Sequence, residues 1–228
     1  MTIPQAELRL GIPLTPIGLP VPEMLNGQPV SLGAESLSEV KNTIYRALTD
    51  YLNVAGYPTE ANEDFREASI NDLVSFTIYP IIAAFQHEKR RRLYLSREKE
   101  IASKDLMSSG REEFVVLDFI SVAQKKYVCI VEAKKVSLGE ARKQCFLAMK
   151  DMRDANGGGM VYGFITMGDS WRMVSFNGEF KMSEKIELLF DSLPRDKKRW
   201  MDHYSILVDC FNVALSNGAN DPIVLAPA

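Results

Sequence analysis

The sequence predicts an α/β fold in which a small mixed β-sheet is flanked by helices, and three observations predict it. Apolar residues recur at helical spacing on both sides of the chain's middle third, while the runs 114–120 and 127–133 have the length and β-branched content of strands. The second run is apolar on both faces, as in a central strand covered by helices on each side. A chain of 228 residues can bury roughly three quarters of its unfolded surface, enough for one such domain.

Residues 1–35 hold six of the eleven prolines (Pro4, Pro13, Pro16, Pro20, Pro22 and Pro29). Proline at that density disfavours both helix and central strand, so this segment is expected as an extended arm, and 36–228 as a single α/β domain. Ser36-Leu37-Ser38-Glu39 has the spacing of a capping box, and Leu37, Val40, Ile44, Leu48 and Leu52 follow at helical period, predicting a helix over about 37–52. A second helical stretch runs from about Asp64 through Phe76 and is expected to kink or break at Pro80 before resuming to Gln86. Leu93–Leu95 and Phe114–Ile120 read as strands, with a turn at Ser108-Ser109-Gly110 before the second. Gln124-Lys125-Lys126 reads as a polar turn leading into the strand Tyr127–Ala133. Ser137-Leu138-Gly139-Glu140 is a second capping box, opening a helix with the stripe Leu138, Ala141, Cys145, Ala148, Met149 and Met152, closed by Asn156 and the glycines that follow. Strands are expected at Met160–Thr166 and Trp171–Phe176, and a last amphipathic helix over about 195–216, capped by Gly218.

Composition narrows the function. Hydrophobic content of 46% with 25% charged residues is that of a globular protein, and no run approaches the roughly 20 apolar residues of a membrane span. The N-terminus lacks the basic, uninterrupted apolar pattern of a secretory leader. Three cysteines without CxxC spacing fit a reducing compartment, so an intracellular, cytoplasmic or nuclear location is expected. A net charge of −3 argues against indiscriminate coating of nucleic acid.

The chemistry concentrates in Val128-Cys129-Ile130-Val131-Glu132-Ala133-Lys134. Strand alternation sets Glu132 and Lys134 on the face of Val128 and Ile130, where burial is costly unless the charges pair, meet water or hold a metal. Asp118 lies in the preceding strand, and a short hairpin at 124–126 would bring it across from Glu132. Two carboxylates so placed repel, and a hard divalent cation relieves the repulsion. Glu113 is the competing carboxylate on that strand, but its opposite parity and exposed flank read as edge charge.

Asp118, Glu132-Ala133-Lys134 and a following helix bearing Gln144 resemble the PD-(D/E)xK superfamily, the restriction-endonuclease-like fold. The layout is most similar to the nuclease domain that begins type I restriction subunits, over a core of about 64–178. The resemblance implies Mg²⁺ (or Mn²⁺) held by Asp118, Glu132 and the Ala133 carbonyl, with Lys134 orienting or deprotonating the attacking water; a lysine beside a metal can carry a lowered pKa. It implies that Gln144 reaches the site or a backbone phosphate, and that one early-helix carboxylate joins them. Glu67, Glu39 and Asp72 compete for that last role; Glu67 is favoured because the Ser36 capping box already accounts for Glu39. The implied partner is nucleic acid, DNA or possibly RNA, and the activity is Mg-dependent phosphodiester hydrolysis. Two rivals stand beside it: a catalytically inactive module that binds protein or nucleic acid, and a hydrolase of small phosphate esters.

Other features carry blander readings. Lys89–Arg92 complements a helix C-terminus. Gly157–Gly159 closes a helix rather than cradling phosphate, His87 and His203 lack zinc spacing, and Trp171 belongs to the core.

Overall fold

The computed structural model describes residues 2–14, 18–57, 66–102, 109–120, 125–134 and 138–217, with side chains left aside at 100, 102 and 109–112. Seven strands form one mixed sheet: β1 (Leu93–Ala102), β2 (Ser109–Phe119), β3 (Lys125–Ala133), β4 (Val161–Thr166), β5 (Ser170–Phe176), β6 (Phe180–Met182) and β7 (Ile186–Glu187). They lie in the order β1-β2-β3-β4-β5-β6, with β7 also on β5. All pairs are antiparallel except β3 and β4, which run parallel and are joined through the helix α5 (Leu138–Ala155). A parallel pair needs such a crossover, and the apolar stripe of α5 supplies it.

Two layers cover the sheet. Helices α3 (Ala34–Ala55), α4 (Glu67–Lys89) and α7 (Ile206–Asn217) pack their apolar faces on Phe114, Val116, Cys129, Val131, Ala133 and Phe164. On the opposite face α5 packs on Val115, Leu117, Ile130, Ile165 and Val174. β3 is thus buried on both sides from Val128 onward, which explains its continuous apolar run. Gly163 in β4 permits the close approach of α5, since a Cβ there would stand 2.5 Å from Met149 Sδ and 2.6 Å from Cys145 Sγ.

Several expectations need correction. The proline-rich arm contains two short helices, α1 (Ile3–Leu10) and α2 (Val21–Leu25). Its capping box is the unforeseen pair Thr2 and Gln5, and Pro4 sits in the first turn, where its missing N–H costs nothing. The arm is docked: Arg9 meets Asp151 of α5 at 2.8 Å with both side chains nearly covered, and Leu32 N–H donates to Asn212 Oδ1 in α7. Helix α3 begins at Ala34 with Gly33 as its N-cap, so Ser36 lies inside the helix and the predicted capping box at Ser36 and Glu39 is not formed. Helix α4 continues through Pro80 without a break; the proline sits beside the exposed Tyr79, on the side where water can serve the freed carbonyl. The final helix is interrupted: a 3₁₀ turn (Leu193–Arg195), a short α6 (Lys197–Arg199) and a π turn (Trp200–Tyr204) precede α7. Trp200 causes a local accommodation there, fully buried with its indole N–H on the Lys41 carbonyl, while Ser205 N–H reaches back to the Trp200 carbonyl. The Gly157–Gly159 segment does close α5. Ser137, Gly218, Asp64 and the start of the 124–126 turn fall outside the described residues.

By length and composition α4 is the one helix among the described residues apolar enough to cross a membrane, contrary to the reading that no stretch approaches a span. Ile70, Leu73, Val74, Ile78, Ile81 and Phe85 on it are buried beneath the sheet, as in a core helix.

Candidate active site

The β2–β3 register decides which carboxylates meet. Phe114 pairs with Val131 and Val115 with Ile130, an irregularity follows between Val116 and Leu117, and Asp118 then pairs with Lys126. Asp118 is therefore six residues along β3 from Glu132, about 20 Å at strand rise. It also belongs to the other layer. Its Oδ2 accepts from Arg91 Nη2 at 2.5 Å and from Nε at 3.2 Å, and Arg91 Nη1 donates onward to the Leu215 carbonyl of α7. The assignment of Asp118 as a metal ligand is thus overturned: it is the counter-ion of a buried arginine that ties β2 to α7. The physical reason is register: β2 runs to Phe119 and β3 already begins at Lys125, inside the expected turn at 124–126, so the partner of Asp118 is displaced from Glu132 by six residues.

Extending the observed register one pair beyond Phe114–Val131 sets Glu113 opposite Glu132. Both share the face of Val115 and Ile130, toward α5. Glu113 Oε1 lies 2.7 Å from Lys134 Nζ, and its Oε2 accepts the Ala133 N–H at 3.2 Å. Lys134 follows β3 directly, its N–H donating to the Thr166 carbonyl of β4 at 3.0 Å. Glu67, the first residue of α4, brings Oε1 to 3.4 Å from the same ammonium. Glu132 is 1% exposed. The sheet end thus gathers Glu67, Glu113, Glu132 and Lys134, the favoured early-helix carboxylate among them. Asp72 is elsewhere, accepting from the Tyr51 hydroxyl. Gln144 is exposed on α5, on the turn before Ala148.

Electrostatics within the cluster pull in two directions. Burial raises the pKa of Glu113, and the neighbouring Glu67 adds to the rise, against the opposing pull of Lys134. Burial would lower Lys134, but the hydrogen bond and charge of Glu113, with the charges of Glu132 and Glu67, outweigh it and raise its pKa. Lys134 is therefore firmly a cation near neutral pH. The expectation of a lowered lysine pKa does not hold in this arrangement, and its chemistry here is that of a fixed positive charge rather than a base.

The donor set can be tested against a divalent ion. Carboxylates such as Glu113 and Glu132 are hard oxygen donors, and Mg²⁺ is ordinarily held by one or two carboxylates, with water and substrate phosphate completing its shell. Among the described residues no group of three or more His, Cys, Asp or Glu side chains forms a metal cage. The donors present are of the chemical type Mg²⁺ takes, and they do not make a closed structural site.

Comparison with known families, curated proteins and solved structures gives no match. The geometry carries the argument alone.

Sequence reasoning set Glu113 aside on parity. The signal that would have recovered it is that Glu132 shares the face of Ile130, so its cross-strand partner must share the face of Val115, which Glu113 does and Asp118 does not.

Proposed function

We propose that this chain is a metal-dependent nuclease with a restriction-endonuclease-like core, hydrolysing DNA or RNA phosphodiester bonds at the Glu113, Glu132 and Lys134 end of the sheet. The observation that carries the reading is the 2.7 Å contact between Glu113 and Lys134, with Glu132 the next residue along β3 from the Phe114–Val131 pair. A largely covered group of carboxylates beside a lysine is expensive to maintain as mere structure, and such a combination of charges suits metal-assisted phosphodiester hydrolysis.

In this reading Glu113 and Glu132, with the Ala133 carbonyl, hold Mg²⁺ or Mn²⁺. When bound, the ion supplies Lewis-acid polarisation of the phosphoryl oxygen and a more acidic water. Lys134 acts as a positioned cation, stabilising negative charge that grows on the phosphoryl group and orienting the attacking water through its N–H donors. Glu67 keeps Lys134 in place from the N-terminus of α4. Gln144, exposed on α5, is available to a backbone phosphate. A second reading, an inactive module on the same scaffold, draws on the net charge of −3.

The test is cleavage of end-labelled DNA and RNA in Mg²⁺, with and without chelator. The reading expects chelator-sensitive cleavage that falls at least about 100-fold in Glu113→Gln and in Lys134→Ala. Absence of cleavage by the intact chain, or cleavage unchanged in both variants, supports the inactive module instead.

A further inference from the structure

The opposite end of the sheet carries a second constellation. Tyr94 of β1 is 55% exposed and meets the half-buried Phe119 of β2 edge-on, with ring centroids 4.9 Å apart. The Tyr94 ring is open to solvent. Two exposed cations flank it. Lys125 is the ladder partner of Phe119, and the Arg92 carbonyl accepts the Phe119 N–H at 3.0 Å, so both residues adjoin the rings through backbone geometry. Among the described residues neither Arg92 nor Lys125 has an ion-pair partner, and the nearby carboxylate, Asp118, is engaged by Arg91 toward the other layer. Ile120, the residue after β2, is also exposed, at 41%.

We propose that Tyr94 and Phe119, with Arg92 and Lys125, form a platform for single-stranded nucleic acid. The exposed Tyr94 ring offers stacking to an unpaired base, with Phe119 supporting it edge-on, and the flanking cations meet phosphates. Duplex is disfavoured, because its bases present edges and not faces to a protein surface. Lys125 stands seven residues from Glu132 along β3, about 23 Å at strand rise. The platform is therefore separate from the carboxylate cluster, and the inference stands whether or not that cluster is catalytic.

The experiment is fluorescence anisotropy of the full chain with labelled oligothymidine of about 15 nucleotides, in chelator so that cleavage does not enter. Binding is expected to weaken about 5- to 150-fold in Tyr94→Ala. In Lys125→Glu and Arg92→Glu the slope of log affinity against log salt is expected to become shallower by about 0.7 each. Phe119→Leu keeps an apolar body in the sheet and is expected to weaken binding in the same range, with circular dichroism reporting that each variant is folded. The proposal is overturned if the intact chain does not bind at low salt, if folded Tyr94→Ala binds as tightly as the parent, or if duplex of equal length binds as tightly as the single strand. Failure here leaves cleavage by the Glu113 cluster untouched, and loss of cleavage in Lys134→Ala leaves this binding untouched.

Discussion

Removing Lys134 should expose how strongly the sheet-end charges depend on one another. In Lys134→Ala, Glu113, whose side chain is 13% exposed in the parent, loses its 2.7 Å partner and keeps the Ala133 N–H and the neighbouring Glu67. A hydrogen bond to a charged group contributes about 1.5–3 kcal/mol, and breaking a fully buried ion pair costs about 3–5 kcal/mol. Lys134 is itself 22% exposed, so water screens part of the interaction and the lower range applies, about 1.5–3 kcal/mol at neutral pH. The sign with pH follows from Glu113. Its folded pKa is already raised by burial, so its contribution is most favourable below the unfolded carboxyl pKa and is lost as pH rises through the folded value. Without Lys134 the rise becomes larger, and the variant should recover stability relative to the parent on acidification. Urea unfolding at several pH values, with Glu113→Gln and the double variant completing a cycle, measures both effects. Coupling below about 0.3 kcal/mol, or a Lys134→Ala deficit that does not shrink at acid pH, would refute the reasoning.

Other outcomes follow from the same geometry. Gly163→Ala drives a methyl into Met149 and Cys145 and should cost about 1–3 kcal/mol in urea unfolding; an equal midpoint for parent and variant contradicts the tight β4–α5 contact. The three cysteines are buried, with burial pushing the Cys129 thiol up to about 12 and raising Cys210 as well, so a thiol reagent at mildly alkaline pH should react with none in the native chain and with three after denaturation. Asp118→Ala strands Arg91, whose side chain is 11% exposed, and should destabilise the chain by about 1.5–3 kcal/mol. It should leave metal-dependent cleavage unchanged once the variant is held at a temperature where it is folded.

The general architecture was legible because hydrophobic period carries it. The doubly apolar run at 128–133 marked β3 as central, the stripe from Leu138 to Met152 marked the crossover helix, and the glycines after Asn156 marked its end. Capping was read less well, because Ser36 and Glu39 have capping-box spacing but Gly33 begins the helix a turn earlier, where packing of α3 sets the start. The arm escaped because Pro4 in a first turn favours a helix while prolines counted by density argue against one. For the site, Glu132 and Lys134 came from strand alternation and Glu67 from the resemblance, favoured over Glu39 through a capping box that is not formed, whereas Asp118 was preferred to Glu113 through parity and an assumed turn. Register is a long-range property fixed by the turn and by an irregularity at Val116 and Leu117, neither of which alternation reveals.

Manganese binding followed by electron paramagnetic resonance asks the central question without requiring turnover. The intact chain and Asp118→Ala should immobilise the ion alike, and Glu113→Gln should lose most of that affinity. If Asp118→Ala abolishes binding while Glu113→Gln retains it, or if the intact chain leaves the ion free, the metal centre is not at Glu113 and Glu132.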